Sequence, residues 1–275
     1  MGGRSVALGG RRSRLLVAVL VLRANEPVRR DALIEAIWGD ALPGSASHAL
    51  DNLVSRARGQ LGADVLQSRR GGYVLVVEPE HVDALRFEAL AARGRDALVR
   101  GELERAADLL REALGLWRGE PLADLGDEPA LADAIRRLSD ARAVAVEDRV
   151  DADLGLGRHG ELVPELRSLV AQEPLRERRR AQLMLALYRS GQHAEALRVY
   201  REAQAYLASE LGLEPGRELR ALELAVMRHD ADLAPPRAPV AWGPGAHAPK
   251  RRRGRSRRAL LAARSSSRCG IVHSS

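Results

Sequence analysis

Apolar residues recur at helical spacing along most of this chain and form strand-like runs near one place only. Leu15, Leu16, Val19, Leu20 and Leu22 give one apolar face, which predicts a helix from about Ser13 to Ala24, stopped by Asn25 and Pro27. A second helix is expected from Arg30 to Trp38, with Leu33, Ile34, Ile37 and Trp38 inward and Gly39 at the C-cap. A third is expected from Ser45, a good N-cap residue, to Leu61, with Ala46, Ala49, Leu50, Leu53, Val54, Ala57 and Leu61 on one face and Gly62 at its end. From Val65 to Val77 two β-prone runs flank Gly71 and Gly72, the pattern of a short hairpin with Arg69 and Arg70 at its turn. Helices followed by such a hairpin predict a winged helix-turn-helix over residues 1–78.

Beyond Glu78-Pro79-Glu80 the helical pattern fills residues 84–233 and ends at Pro235-Pro236. It repeats itself. Gly157-Arg158-His159-Gly160-Glu161-Leu162 and Gly191-Gln192-His193-Ala194-Glu195-Ala196-Leu197 begin 34 residues apart, the tetratricopeptide period. Pro174, Tyr200 and Ala203 fall at matching offsets, and Gly101-Glu102-Leu103-Glu104-Arg105-Ala106 reads as an earlier copy, separated by an insertion containing Trp117 and Pro121. Three helical hairpins are expected, about the minimum for a stable stack. The fold class is therefore mainly α: an N-terminal winged helix-turn-helix with a short β-hairpin wing, then a tetratricopeptide-like helical repeat domain.

Composition narrows the chemistry. Aromatic residues make up 3% of the 275 residues, in keeping with packing by Ala, Leu and Val in helices. The single Cys269 allows neither a disulfide framework nor a cysteine metal site and fits a reducing cytoplasm. The run Leu15 to Leu22 is far short of a membrane span, so no membrane association is expected, and no small-residue cleavage site follows it. Lys250 is the sole lysine, which excludes a GxxxxGK phosphate loop and a Schiff-base lysine in the folded region. HExxH and GxSxG are absent, and Asp151-Ala152-Asp153 lacks the glycine that a calcium loop needs at its sixth position, Leu156. No enzyme and no cofactor are expected.

The net charge of +7 conceals an asymmetry: residues 1–78 carry about +4, residues 79–233 about −7 and residues 234–275 about +10. One domain is thus suited to a polyanion and the next is not. With the apolar face of the third helix turned inward, Ser47, His48, Asp51, Asn52, Ser55, Arg56, Gln60 and, at the edge, Arg58 face outward. A helix fits the major groove of double-stranded DNA, where Asn can bond adenine N6 and N7 and Arg can bond guanine O6 and N7. His48 and Asn52, one turn apart, are the base-reading candidates, with Arg56 one turn further as a base or phosphate contact. Ser47 near the helix N-terminus is placed to donate to a phosphate, and Arg69 and Arg70 to meet backbone or minor groove. Asp51 is expected off the contact surface, because a carboxylate near phosphates is unfavourable.

Several strings resemble known modules. Leu33-Ile34-Glu35-Ala36-Ile37-Trp38-Gly39-Asp40, Ala49-Leu50, Val54-Ser55-Arg56-Ala57-Arg58-Gly59-Gln60-Leu61 and Gly71-Gly72-Tyr73 resemble the OmpR-type winged helix. Asp83-Ala84-Leu85-Arg86-Phe87-Glu88, Leu116-Trp117-Arg118-Gly119-Glu120-Pro121-Leu122 and Leu211-Gly212-Leu213-Glu214-Pro215-Gly216 resemble the bacterial transcriptional activator domain. In this order, over roughly residues 5–233, they resemble the SARP-type regulators of actinobacterial secondary metabolism. The resemblance implies activation of transcription by binding tandem direct repeats near a promoter and recruiting RNA polymerase holoenzyme, and side-by-side homodimers follow naturally from direct repeats. The chain departs from the OmpR type in having only Arg4 to Leu8 ahead of the first helix, so most of the usual N-terminal sheet is expected to be missing and that helix to be partly uncovered. The alternative is a tetratricopeptide-type protein-interaction adaptor with a degenerate winged helix. Residues 234–275, Pro-rich and then basic from Lys250 to Arg258, are expected to be a disordered tail.

Overall fold

The computed structural model describes residues 9–234. The expected N-terminal sheet residues and the basic tail lie outside that range. Helix α1 (Arg11–Val21) begins two residues earlier and ends three earlier than its apolar pattern suggests. Helix α2 (Arg30–Trp38) has the expected bounds and ends at Gly39 with φ 51°. Helix α3 (Ala46–Leu61) starts after Ser45, whose side chain makes no capping hydrogen bond, and stops at Gly62 with φ 103°. Strands β2 (Leu66–Arg69) and β3 (Gly72–Leu75) form the wing, with Arg70-Gly71 as the two-residue turn. A two-residue strand β1 (Val28–Arg29), which the sequence pattern does not announce, pairs antiparallel with the other edge of β3, giving the order β1-β3-β2.

Asn25 closes this arrangement. In the left-handed region at φ 66°, it donates from its backbone N–H to Leu75 O and from Nδ2 to Val77 O, while its Oδ1 accepts from Val77 N–H. An Asn tolerates that conformation and supplies both halves of a backbone-like pair. The residue expected to stop α1 lies four positions past the helix end and instead anchors the end of β3.

The helical part consists of three hairpins and a closing helix: α4 (Asp83–Val99) with α5 (Leu103–Leu114), α6 (Pro129–Gly155) with α7 (His159–Gln172), α8 (Glu177–Arg189) with α9 (His193–Leu211), then α10 (Arg217–Arg228). The repeat glycines Gly101, Gly157 and Gly191 sit at the same place in each hairpin, with φ of 73°, 80° and 77°. Each is followed by a residue whose N–H reaches back five residues: Glu102 to Ala97 O, Arg158 to Asp153 O and Gln192 to Leu187 O. These are three copies of one helix-ending turn, in which glycine adopts the left-handed conformation without a Cβ penalty. Tyr200 and Ala203, picked out by their offsets, are buried beside Leu166, Leu183 and Met184. The insertion between α5 and α6 packs Trp117 edge-on against Phe87, ring centroids 5.2 Å apart.

The winged helix and the helical array share apolar contact. Leu125, in a short 3-10 helix at Ala123–Leu125, and Leu131 of α6 belong to the same buried cluster as Leu15, Leu16 and Leu20 of α1. Arg14 pairs with Asp124 at 2.9 Å, and Arg11 pairs with Glu128 and Asp127. Helix α1, expected to be left partly bare, is buried at every residue from Leu15 to Leu20. Part of its cover comes from over a hundred residues downstream, a long-range contact that no local pattern encodes.

Candidate nucleic-acid interface

The outer face of α3 is fixed from beneath by Leu50, Leu53, Val54 and Ala57, all buried. Their spacing turns Ser47, His48, Asp51, Asn52, Ser55 and Arg56 to solvent, all exposed. Arg69 and Arg70 are exposed at the tip of the wing. Neither His48, Asn52, Ser55, Arg56, Arg69 nor Arg70 makes a side-chain hydrogen bond or ion pair with another described residue. Their polar ends are free for an external partner.

Asp51 and Arg58 of this face are spent inside the protein, and Ser47 in part. Asp51 Oδ1 accepts from Arg30 Nη1 at 2.7 Å and from the Tyr73 hydroxyl at 2.8 Å. The hydrogen bond from Arg30, then that from Tyr73, holds the Asp51 carboxyl below its ordinary range. Arg30 Nη1 also donates to the Tyr73 hydroxyl at 2.6 Å, and Arg30 Nη2 donates to Ser47 Oγ at 2.7 Å and to Ser47 O at 3.2 Å. Ser47 Oγ acts there as acceptor, which leaves its O–H to donate outward. Burial, followed by the Asp51 hydrogen bond, pushes the Tyr73 phenol up. The charge of Asp51, which stands exposed on this face, is thereby paired by Arg30.

Arg58 is half-buried and directed to the wing. It donates from Nε to Leu66 O at 2.8 Å and from Nη2 to Ser68 Oγ at 2.7 Å, and its guanidinium lies 5.7 Å from the centre of the Tyr73 ring. It ties α3 to β2 and sets the angle between helix and wing. With Arg30 stacked 5.5 Å from the same ring, Tyr73 has a guanidinium on each of two approaches.

Sequence reading missed Arg30. A signal was available: a cation in the first turn of a helix opposes the helix dipole, so an arginine opening α2 is a residue committed elsewhere. Among the described residues no group of three His, Cys, Asp or Glu side chains could hold a metal ion, and no helix is long and apolar enough to cross a membrane.

Comparison with known proteins agrees with this architecture. The bacterial transcriptional activator domain model matches residues 82–227, and that of the C-terminal domain of transcriptional regulatory proteins matches residues 3–75. The regulatory protein DnrI of Streptomyces peucetius is 38% identical over 84% of this chain and 89% of its own length. The regulatory protein AfsR of Streptomyces coelicolor is 42% identical over 84% of this chain, which corresponds to 23% of that larger protein. Among solved structures, Mycobacterium tuberculosis EmbR in complex with a low affinity phosphopeptide matches with a TM-score of 0.79 and 33% identity, covering 82% of this chain and 61% of that one. The chain belongs to the SARP-type family of DNA-binding transcriptional activators, in which an OmpR-type winged helix precedes a bacterial transcriptional activator domain.

Proposed function

We propose that this chain, acting in the cytoplasm, binds tandem direct repeats of double-stranded DNA near a promoter and recruits RNA polymerase holoenzyme, switching on secondary-metabolite genes. The winged helix of residues 1–78 is the DNA reader and residues 84–233 the activator domain, with two copies side by side on adjacent repeats. The observation that carries the DNA half is the unspent row His48, Asn52 and Arg56 on α3, flanked by the free Arg69 and Arg70 of the wing, while the one carboxylate of that face, Asp51, is already neutralised by Arg30. The polymerase half rests on membership of the family.

In this reading Asn52 and His48 read base edges, Arg56 contacts a base or phosphate, and Ser47 and Ser55 donate to phosphates. Arg58 acts by positioning the wing. Arg56→Ala is expected to cost about 1 to 3 kcal/mol in binding to a cognate site, roughly 5- to 150-fold in affinity. Electrophoretic mobility shifts against cognate and scrambled duplexes check this, and an unchanged cognate affinity removes Arg56 from the interface. Arg70→Ala is expected to weaken binding to all sequences alike and to reduce the slope of log affinity against log salt by about one. An unaltered slope means that Arg70 meets no phosphate.

Selecting bound fragments from the source genome tests the whole reading. Enrichment of tandem repeats upstream of a biosynthetic cluster is the expected result. Failure to retain any DNA at low salt would instead favour the adaptor, with the repeat domain binding a protein partner.

A further inference from the structure

The junction between the winged helix and the helical array encloses a cleft of about 370 Å³, within the size range of small-molecule sites. Val21 of α1 and the following Leu22 form one wall, and Ala84 and Phe87 of α4 another. Trp117 and Leu122 of the α5–α6 insertion close the end. The charged residues that line it are each paired: Asp83 with Arg118 at 3.5 Å, and Glu120 with Arg142, which stands outside the lining, at 3.9 Å. No charge is left over to favour an ion. The exposed insertion residues Arg118, Gly119 and Glu120 line the cleft mouth, and their backbone N–H groups bond no described residue. Leu122 stands in the left-handed region at φ 53°, a conformation that a leucine adopts at a cost.

We propose that this cleft binds a small, neutral, mainly apolar molecule bearing a carbonyl-type acceptor, and that its occupancy alters DNA affinity by changing how the winged helix packs against the helical array. The apolar walls supply affinity, the pairing of the charged lining residues selects against charge, and the free N–H groups of residues 118–120 orient the acceptor. The ligand would bridge α1 and α4, which belong to different modules of the chain. Coupling to DNA rests on the function proposed above, whereas binding itself does not.

The test uses the full chain and the neutral, carbonyl-bearing fluorophore 6-propionyl-2-(dimethylamino)naphthalene, with the anionic 1-anilinonaphthalene-8-sulfonate for contrast. Expected are one site per chain, a blue-shifted emission, energy transfer from tryptophan that Trp117→Phe diminishes, and weaker binding of the anion. Ala84→Phe and Val21→Phe fill the cleft from different walls and are each expected to reduce probe affinity at least tenfold with a cooperative thermal transition retained. Should one of them not fold, the other decides. No saturable binding, or undiminished binding in a folded cleft-filling variant, overturns the site. DNA titrations with and without the neutral probe address coupling: a shift of threefold or more in affinity is expected, and saturating probe that leaves DNA affinity unmoved overturns the regulatory half. A chain that binds the probe but no DNA at low salt refutes the DNA reading and leaves the site standing.

Discussion

Gly72→Ala is expected to abolish DNA binding and to lower stability by about 3 kcal/mol, at the upper end of what overpacking costs. A Cβ at position 72 would lie 2.0 Å from the carbonyl oxygen of Val28 and 2.8 Å from its carbonyl carbon. Both are backbone atoms, so no side chain can swing aside. Gly72, like Tyr73, is paired on both edges of β3, with Arg69 of β2 and Arg29 of β1, and the clash must be relieved by parting β1 from β3. Arg29 leads without a spacer into α2, whose first residue, Arg30, holds Asp51, Ser47 and Tyr73. Displacing the strand therefore displaces the cation that keeps the face of α3 free of negative charge. Urea denaturation followed by circular dichroism measures the stability, and mobility shifts measure the binding. A variant with an unchanged midpoint would show that β1 does not approach β3 closely. One that loses stability but keeps full affinity would show that the Arg30 network does not serve the interface.

The contrast between β1 and α2 shows what the sequence could reveal. Nine residues with Leu33, Ile37 and Trp38 on one face and a glycine after the last turn define a helix without help from the rest of the chain. Two residues have no period, so Val28 and Arg29 become a strand only because β3 presents an unfilled edge to them. Gly101, Gly157 and Gly191 could be equated from their neighbours, and they proved to share one turn geometry since each repeat faces the same local problem of ending a helix. The cover over α1 could not be read in that way. Leu125 and Leu131 carry no mark that assigns them to the core of another module. At the interface, the exposed row of α3 follows from helical spacing alone, but the direction taken by a side chain at the edge does not. Arg58, equally able to reach outward or toward the wing, is drawn to the wing by Leu66 O, Ser68 Oγ and the Tyr73 ring, all supplied by a hairpin that follows in sequence.

Asp153→Ala is expected to be the most damaging single change in the helical array, at about 3 to 5 kcal/mol, the usual loss when one member of a buried charge cluster is removed. The Asp153 side chain is 4% exposed and accepts from three arginines: Arg149 at 3.2 Å, Arg158 at 2.7 Å, and Arg111. These come from α6 itself, from the turn entering α7 and from α5, so a single carboxylate joins the first hairpin to the second. Its removal takes one of two carboxylate partners from Arg149, only 11% exposed, whereas Arg111 and Arg158, about 40% exposed, can turn to water, which places the expected loss at the lower end of that range. Asp153→Asn keeps the shape and one acceptor, and is expected to lose less. The comparison that isolates burial is Asp133→Ala: Asp133 pairs with Arg136 at 2.7 Å, but both side chains are more than 70% exposed, and its loss is expected to cost under about 1 kcal/mol. Equal losses from Asp153→Ala and Asp133→Ala in urea would refute a structural role for the buried cluster. A large loss at Asp153 with the winged helix core of Leu16, Leu33 and Leu50 left intact would place the weak point of the molecule between its repeats, and DNA affinity should then survive at temperatures where activation has already failed.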